Sequence, residues 1–210
     1  YTPEDVRREV IHLEEKTLYG YAWNKVYRVQ SLRESGVVFE KITLIEDIKF
    51  NVSYFDSVCS MNVLNTTPYH YLKRIDGSLT NKFLPDYFTL NAERVSLVLE
   101  QYKNWGMCTE EVRRILANIY VRYLFSALQR NCDKRSDMNH AQRKEWLKQQ
   151  YKTPLCKELL SAVQASGTLF KCMAKAFCAG NIPLCLMIAR SIFAVKSVFP
   201  TVFSTLKQQH

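Results

Sequence analysis

The sequence predicts a mostly α-helical chain with a small β portion, and three observations carry that expectation. From about residue 85 onward, apolar residues recur at helical spacing in one segment after another, punctuated by Gly106, Gly167, Gly180, Pro154, Pro183 and Pro200. Before that point, helical periodicity alternates with short β-branched and aromatic runs bounded by turn residues. The composition is 47% hydrophobic with only six Gly and six Pro in 210 residues, which suits a packed core and not a disordered chain. The expected organisation is a mixed part over 1–84 followed by a helical region over 85–210.

Taken in order, "TPEDVRREVIHLEEKTLY" reads as a helix. Thr2 is placed as its N-cap, Pro3 as its first residue, and Glu4 and Asp5 in its first turn. Val6, Val10 and Leu13 form its apolar stripe, and Gly20 is its expected end. "AWNKVYRVQSLRES" is expected as a second helix closed by Gly36, and "VVFE" as a short strand. "EDIKFNVSYFDS" is expected as a third helix, with Ile48, Val52 and Phe55 on one face. "VCSMNVL" and "PYHYLKR" read as two further strands. The later segments read as helices: "ERVSLVLEQYKNWG", "TEEVRRILANIYVRYLFSALQRN", "NHAQRKEWLKQQY", "PLCKELLSAVQASG", "TLFKCMAKAFCAG", "IPLCLMIARSIFAVKSVF" and "PTVFSTLKQQ". They show no fixed period, so a solenoid is not expected.

No apolar run reaches the ~18 residues of a membrane-spanning helix, and "YTPEDVRREV" has no apolar signal core. The first residue is Tyr1 and not Met, so a piece of a longer chain is expected. Seven cysteines, at 59, 108, 132, 156, 172, 178 and 185, form no CxxC pair. Buried free thiols in a reducing compartment are the expectation, with no disulfide framework and no zinc. The net charge of +9 is uneven. Residues 1–105 carry 13 Lys/Arg against 14 Asp/Glu, and residues 106–210 carry 16 against 6. A basic excess confined to one half points towards a negatively charged partner.

The informative segment is "LIEDIKFN" at 44–51, where Glu46 and Asp47 interrupt an apolar run. Carboxylates are at home in the first turn of a helix, whose N-terminal end is positive. That explains their position and leaves their neighbours unexplained. "WNKVYR" (23–28) has Trp23, Val26 and Tyr27 at core spacing, with a sugar-facing Trp23 as the other reading. In "YHYLKRIDGSLT" (69–80), His70 lies between two tyrosines and beside Lys73 and Arg74. A lone His of this kind is either a structural residue or a ligand.

Together with "ESGVVF" (34–39), these pieces resemble the second half of the catalytic domain of family 2 glycosyltransferases. Those are the GT-A-fold enzymes that build bacterial capsules, teichoic acid decorations and lipopolysaccharide. The four pieces occur in the family's order, and the resemblance spans residues 15–84. It implies the acceptor-side part of a GT-A α/β domain followed by a C-terminal helical region. It also implies an inverting transfer of a sugar from a nucleotide diphosphate sugar to a glycan hydroxyl in cell-surface polysaccharide synthesis. In that reading Asp47 is the general base and Glu46 holds the acceptor or orients Asp47. Trp23 and Asn24 line the sugar pocket. Lys73, Arg74 and Ser78 contact the leaving diphosphate, where guanidinium and hydroxyl donors suit phosphate oxygens. Gly77 lets that loop hinge or approach the phosphates closely.

A divalent metal, Mg or Mn, would be held mainly by an upstream half, with His70 as an additional ligand. None is expected in these residues alone, which contain no Asp-x-Asp and no Gly-rich phosphate loop. The resemblance therefore implies that these 210 residues lack most of the nucleotide-binding half and are inactive alone. It further implies a cytoplasmic location, at the inner face of the plasma membrane in one version. "SIFAVKSVFPTVFSTLKQQH" bears on that version, with three readings open: contact with an anionic membrane surface through Lys196 and Lys207, packing in the helical core, or self-association. The alternative function is a basic helical binding module for nucleic acid or protein. Nucleic acid is not the expected partner, because no helix-turn-helix, zinc or RNP signature accompanies the charge.

Overall fold

The computed structural model describes residues 2–42, 45–66, 69–70 and 83–198. The described residues are mostly helical: α1 (Pro3–Glu15), α2 (Val29–Ser35), α3 (Glu46–Phe55), α4 (Tyr87–Asn104), α5 (Glu110–Arg130), α6 (His140–Lys152), α7 (Pro154–Leu159), α8 (Thr168–Cys178) and α9 (Ile182–Val198). Among them there is no strand. The expected small β portion is therefore corrected for 37–40 and 58–64, which run without a ladder. A strand exists only when a second one pairs with it, and β-branched runs express a fit to a pleated surface and not an intrinsic shape. Of "PYHYLKR", Tyr69 and His70 form no strand, and the rest lies outside the described residues. The helix expected over 200–209 also lies outside them.

The chain divides into two compact units, one of residues 1–82 with 89–116, the other of residues 83–88 with 117–210. In the first unit, α1 starts as its sequence prescribes. Thr2 Oγ1 accepts from the Asp5 amide at 3.3 Å, and the Asp5 carboxylate accepts from the Thr2 amide at 2.9 Å. This reciprocal cap satisfies amides that a helix start leaves unpaired. The helix ends at Glu15, not near Gly20, because Thr17 turns into the left-handed region at φ 60°. The amides of Leu18 and Tyr19 then both return to the Leu13 carbonyl.

Val6, Val10 and Ile11 bury one face of α1, and Glu14 joins them at 1% exposure. That carboxylate survives burial because Arg94 of α4 grips it with two bonds of 2.7 Å. Gly20 makes room for the grip: a Cβ there would come within 2.4 Å of Arg94 Nη2.

The second expected helix is shorter than its pattern. Residues 22–28 form a turn and coil, and α2 begins only at Val29. Side chains take over the bonding in the coil. Asn24 Nδ2 donates to the Leu18 carbonyl at 2.9 Å, and Lys25 Nζ donates to Leu18 and Tyr21 carbonyls. Short polar side chains that bond backbone locally compete with helix in this way. Gly36 closes α2 at φ 65°, as expected.

Helix α3 starts where expected and ends at Phe55, two residues short of its expected span. Of the face expected to be apolar, Ile48 and Phe55 are buried and Val52 only half-buried, while Asn51 and Tyr54 are buried too, Asn51 at 0% exposure. Asn51 Nδ2 donates to the Tyr19 carbonyl at 2.9 Å, and its Oδ1 accepts from Tyr27 at 2.8 Å. Both ends of the amide are thus satisfied, and its burial costs little. The Tyr19 hydroxyl is also buried and donates to Gln101 of α4 at 2.8 Å. Gln101 in turn donates to the Val52 carbonyl at 2.7 Å.

In the second unit, Leu124, Phe125 and Leu128 of α5, Leu147 of α6, Leu159 of α7, Phe177 of α8 and Ala189 of α9 are core. Tyr151 stacks on Phe177 at 4.7 Å and donates to its carbonyl at 2.7 Å. Asn118 clamps the backbone of Gln164 through both of its amide groups, at 2.9 and 3.1 Å. All seven cysteines are free thiols, but only Cys156 and Cys185 are buried as expected; Cys59, Cys172 and Cys178 are exposed, because helical apolar spacing does not say which face a neighbour will cover.

Replacing Arg94 by Met strands the Glu14 carboxylate inside the first unit. The expected loss is about 3–5 kcal/mol of folding stability, the scale for breaking one side of a buried ion pair. Urea unfolding checks it. Gly20→Ala should destabilise through the same pair, because the added methyl displaces the guanidinium from Glu14.

Candidate functional site

The loop between α1 and α2 meets the first turn of α3. Ile45, at the N-cap of α3, offers no capping side chain, and Glu46 and Asp47 supply negative charge to the positive end of the helix. Asp47 also ties the loop down: its Oδ2 accepts from the Ala22 amide at 3.1 Å. Its other oxygen makes no hydrogen bond among the described residues, and the side chain is half-buried. Glu46 Oε2 is buried without a hydrogen-bond partner. Of the two carboxylates, Asp47 is oriented by a backbone amide and keeps an oxygen to spare, while Glu46 Oε2 is buried.

Lys25 is the loop's internal clamp. Its ammonium donates to the Leu18 carbonyl at 2.7 Å, the Tyr21 carbonyl at 2.6 Å and Asn24 Oδ1 at 2.9 Å. Burial pushes this ammonium down to about 8, against the pull of the Asp47 charge. Tyr27, which donates to Asn51, is pushed up by burial and by the Asp47 charge, and so keeps its proton. Beneath the loop, Phe50 of α3 meets the Tyr27 ring edge-on at 5.6 Å and stacks on Phe39 at 4.1 Å.

On the outside of the loop, Trp23 stacks with Tyr21 at 5.2 Å and with Tyr69 at 5.1 Å. The three rings keep 40%, 39% and 52% of their surface exposed, in the order Trp23, Tyr21, Tyr69.

The structure thus gathers much of what the sequence singled out. Asp47 reaches the residue next to Trp23, and Trp23 touches the residue next to His70. Asn24 points inward, with its amide spent on Leu18 and Lys25, so it is not an open pocket wall. Lys25 faces inward too. His70 is exposed. Among the described residues no group of three or more His, Cys, Asp or Glu is placed to hold a metal ion, so no ligand set for the implied metal is assembled here. Lys73, Arg74, Gly77 and Ser78 lie outside the described residues.

Sequence reasoning missed the Ala22 amide and the parts played by Tyr21 and Tyr69. A backbone donor carries no sequence signal, but Tyr-x-Trp in a polar loop did offer one.

No protein-family model matches the chain, and comparison with curated proteins and with solved structures found no match either. Among the described residues no helix is long and apolar enough to cross a membrane.

The depressed ammonium of Lys25 has a signed consequence. The unfolded chain holds this proton up to 10.5, and the folded chain releases it from about 8. Between those values the unfolded state binds more protons, so folding stability should rise with pH in that window; below both values the burial cost is constant. In Lys25→Met that rise should vanish, as chemical unfolding of both proteins across the window would reveal.

Proposed function

We propose that the first unit is the acceptor side of an inverting glycosyltransferase, in which Asp47 is the general base. The observation that carries this reading is the meeting of the resembling segments. Asp47 of "EDIKFN" is bonded to the backbone beside "WNKVYR", and Trp23 of that segment stacks on Tyr69 of "YHYLKR". Phe39 of "ESGVVF" lies on Phe50 of α3. Separated segments that act together in one site must be neighbours in space, and unrelated matches have no reason to be.

The chemistry follows from the carboxylate. Asp47 Oδ2 is held by the Ala22 amide, which fixes the side-chain rotamer. Its other oxygen takes the proton of an acceptor hydroxyl as that oxygen bonds to the anomeric carbon. The bond from the anomeric carbon to the nucleotide diphosphate breaks on the opposite face, and the configuration inverts. The diphosphate carries away the electron pair. Glu46, whose Oε2 is buried without a hydrogen-bond partner, orients Asp47 or holds the acceptor, the two roles that the resemblance implies. A divalent metal, were it bound, would neutralise charge on the leaving diphosphate, which Arg74, Lys73 and Ser78 would contact in the reading that the resemblance implies.

The alternative, a basic helical module for nucleic acid, draws less support. In the second unit three guanidinium groups lie over rings: Arg122 over Phe170, Arg130 over Tyr87 and Arg135 over Phe83. No helix-turn-helix, zinc or RNP signature accompanies the basic charge.

Asp47→Asn is the direct test. An Asn oxygen still accepts from Ala22, so the fold should be retained. Transfer by the intact enzyme should fall about 10²–10⁴-fold, the scale of a lost general base. Unchanged transfer refutes the assignment. The 210-residue chain by itself should show no micromolar affinity for any nucleotide sugar in calorimetry; tight binding would put the donor site within these residues.

A further inference from the structure

The aromatic stack calls for an explanation of its own. Single exposed apolar side chains are ordinary, but Tyr21, Trp23 and Tyr69 place three large rings together while leaving two fifths to one half of each in water. They are not core residues that failed to be covered. The loop that carries two of them is fixed from the inside by Lys25, Asn24 and Asp47. The loop's rigidity serves the outward presentation of the rings, because the inner bonds alone need no aromatic residue at 21 or 23.

We infer that the Tyr21–Trp23–Tyr69 stack is a binding surface for uncharged sugar rings, and that it holds the acceptor glycan beyond the residue that reacts at Asp47. The inference rests on the glycosyltransferase reading for the word acceptor, but its chemistry stands on the stack. A pyranose presents a face of C–H bonds that packs on an aromatic ring, and a rim of hydroxyls that donate to carboxylates. Both halves of that complement are here. The rings offer the apolar face. Asp47, bonded to the backbone residue between Tyr21 and Trp23, offers its other carboxylate oxygen.

The charge at this place selects the ligand class. Stacked rings also bind nucleobases, but a base arrives with a phosphate chain and calls for cations beside the rings. Among the described residues, the charge tied to the ring-bearing loop is the Asp47 carboxylate. The loop lysine has turned its ammonium inward onto two carbonyls and Asn24. That carboxylate opposes a polyanion and leaves a neutral glycan unopposed.

The test uses the 210-residue chain on an array of uncharged oligosaccharides, with heparin and single-stranded DNA as polyanionic comparators. The expected result is retention of one or more uncharged glycans. Trp23→Ala and Tyr69→Ala should each weaken it roughly tenfold, the scale of one lost ring contact. Both variants should keep the wild-type circular dichroism spectrum, since the rings are exposed. Trp105→Phe, in the same unit but bonded to Asp56, should bind normally. Retention of no uncharged glycan, equal retention by Tyr69→Ala, or preference for the polyanions each overturns the inference. The two proposals fail separately. Glycan retention combined with full transfer by Asp47→Asn removes the base and leaves the stack. Loss of transfer by Asp47→Asn with no glycan retention removes the stack and leaves the base.

Discussion

Asn51 is the constraint on which the first unit is built. Its side-chain amide is wholly buried in α3, and it bonds the backbone at Tyr19 on one side and the Tyr27 hydroxyl on the other. A buried amide is tolerated only when both its ends are satisfied, so any shift of α3 against the loop would strand a donor and an acceptor together. This one side chain sets where the loop of residues 19–27 lies, and with it the distance from Ala22 to Asp47. The Tyr19 hydroxyl extends the network to Gln101, and Gln101 returns it to the backbone of α3. The polar groups form a closed circuit across α3, α4 and the loop.

The circuit accounts for a division of labour along α3. Its buried residues, Ile48, Phe50, Asn51, Tyr54 and Phe55, share one side of the helix, with Lys49 and Ser53 on the other. Its first turn carries Glu46 and Asp47. A helix end is the natural place for such a pair, because the helix dipole favours the charged form there and the following turns anchor the backbone. The Glu14–Arg94 pair plays a similar part for α1 and α4: a buried carboxylate fixes their approach, at a cost met by two short bonds.

Much of this was legible in advance. Thr2, Pro3 and Asp5 announced the start of α1, and Gly36 the end of α2. The helices from Tyr87 onward were visible as apolar periodicity broken by glycines that adopt positive φ. Other features were not legible, for reasons that can be named. Trp23, Val26 and Tyr27 have helical spacing, yet Asn24 and Lys25 draw the local carbonyls to themselves and the helix does not form. "VVFE" and "VCSMNVL" have strand composition, but pairing is a property of two segments and neither has a partner among the described residues. At the site, Asp47 and Trp23 were recognisable by residue type, while the bond to Ala22 and the inward turn of Lys25 were not.

By itself the sequence determined the helical character of the chain, the caps, the free cysteines and the identity of the two carboxylates. These follow from local rules: what a residue's own backbone, its neighbours within a turn, and its chemistry permit. The tertiary structure alone decided that Asn51 is buried and Asp47 is not, that Lys25 faces inward, and that Tyr21, Trp23 and Tyr69 stack. Each of those outcomes depends on which distant group arrives to satisfy a donor, an acceptor or a ring. Tyr27 lies 24 residues from Asn51, and Arg94 lies 80 from Glu14. Hydrogen-bond satisfaction in a core is settled between such partners, and no pattern along the chain records which of them will meet.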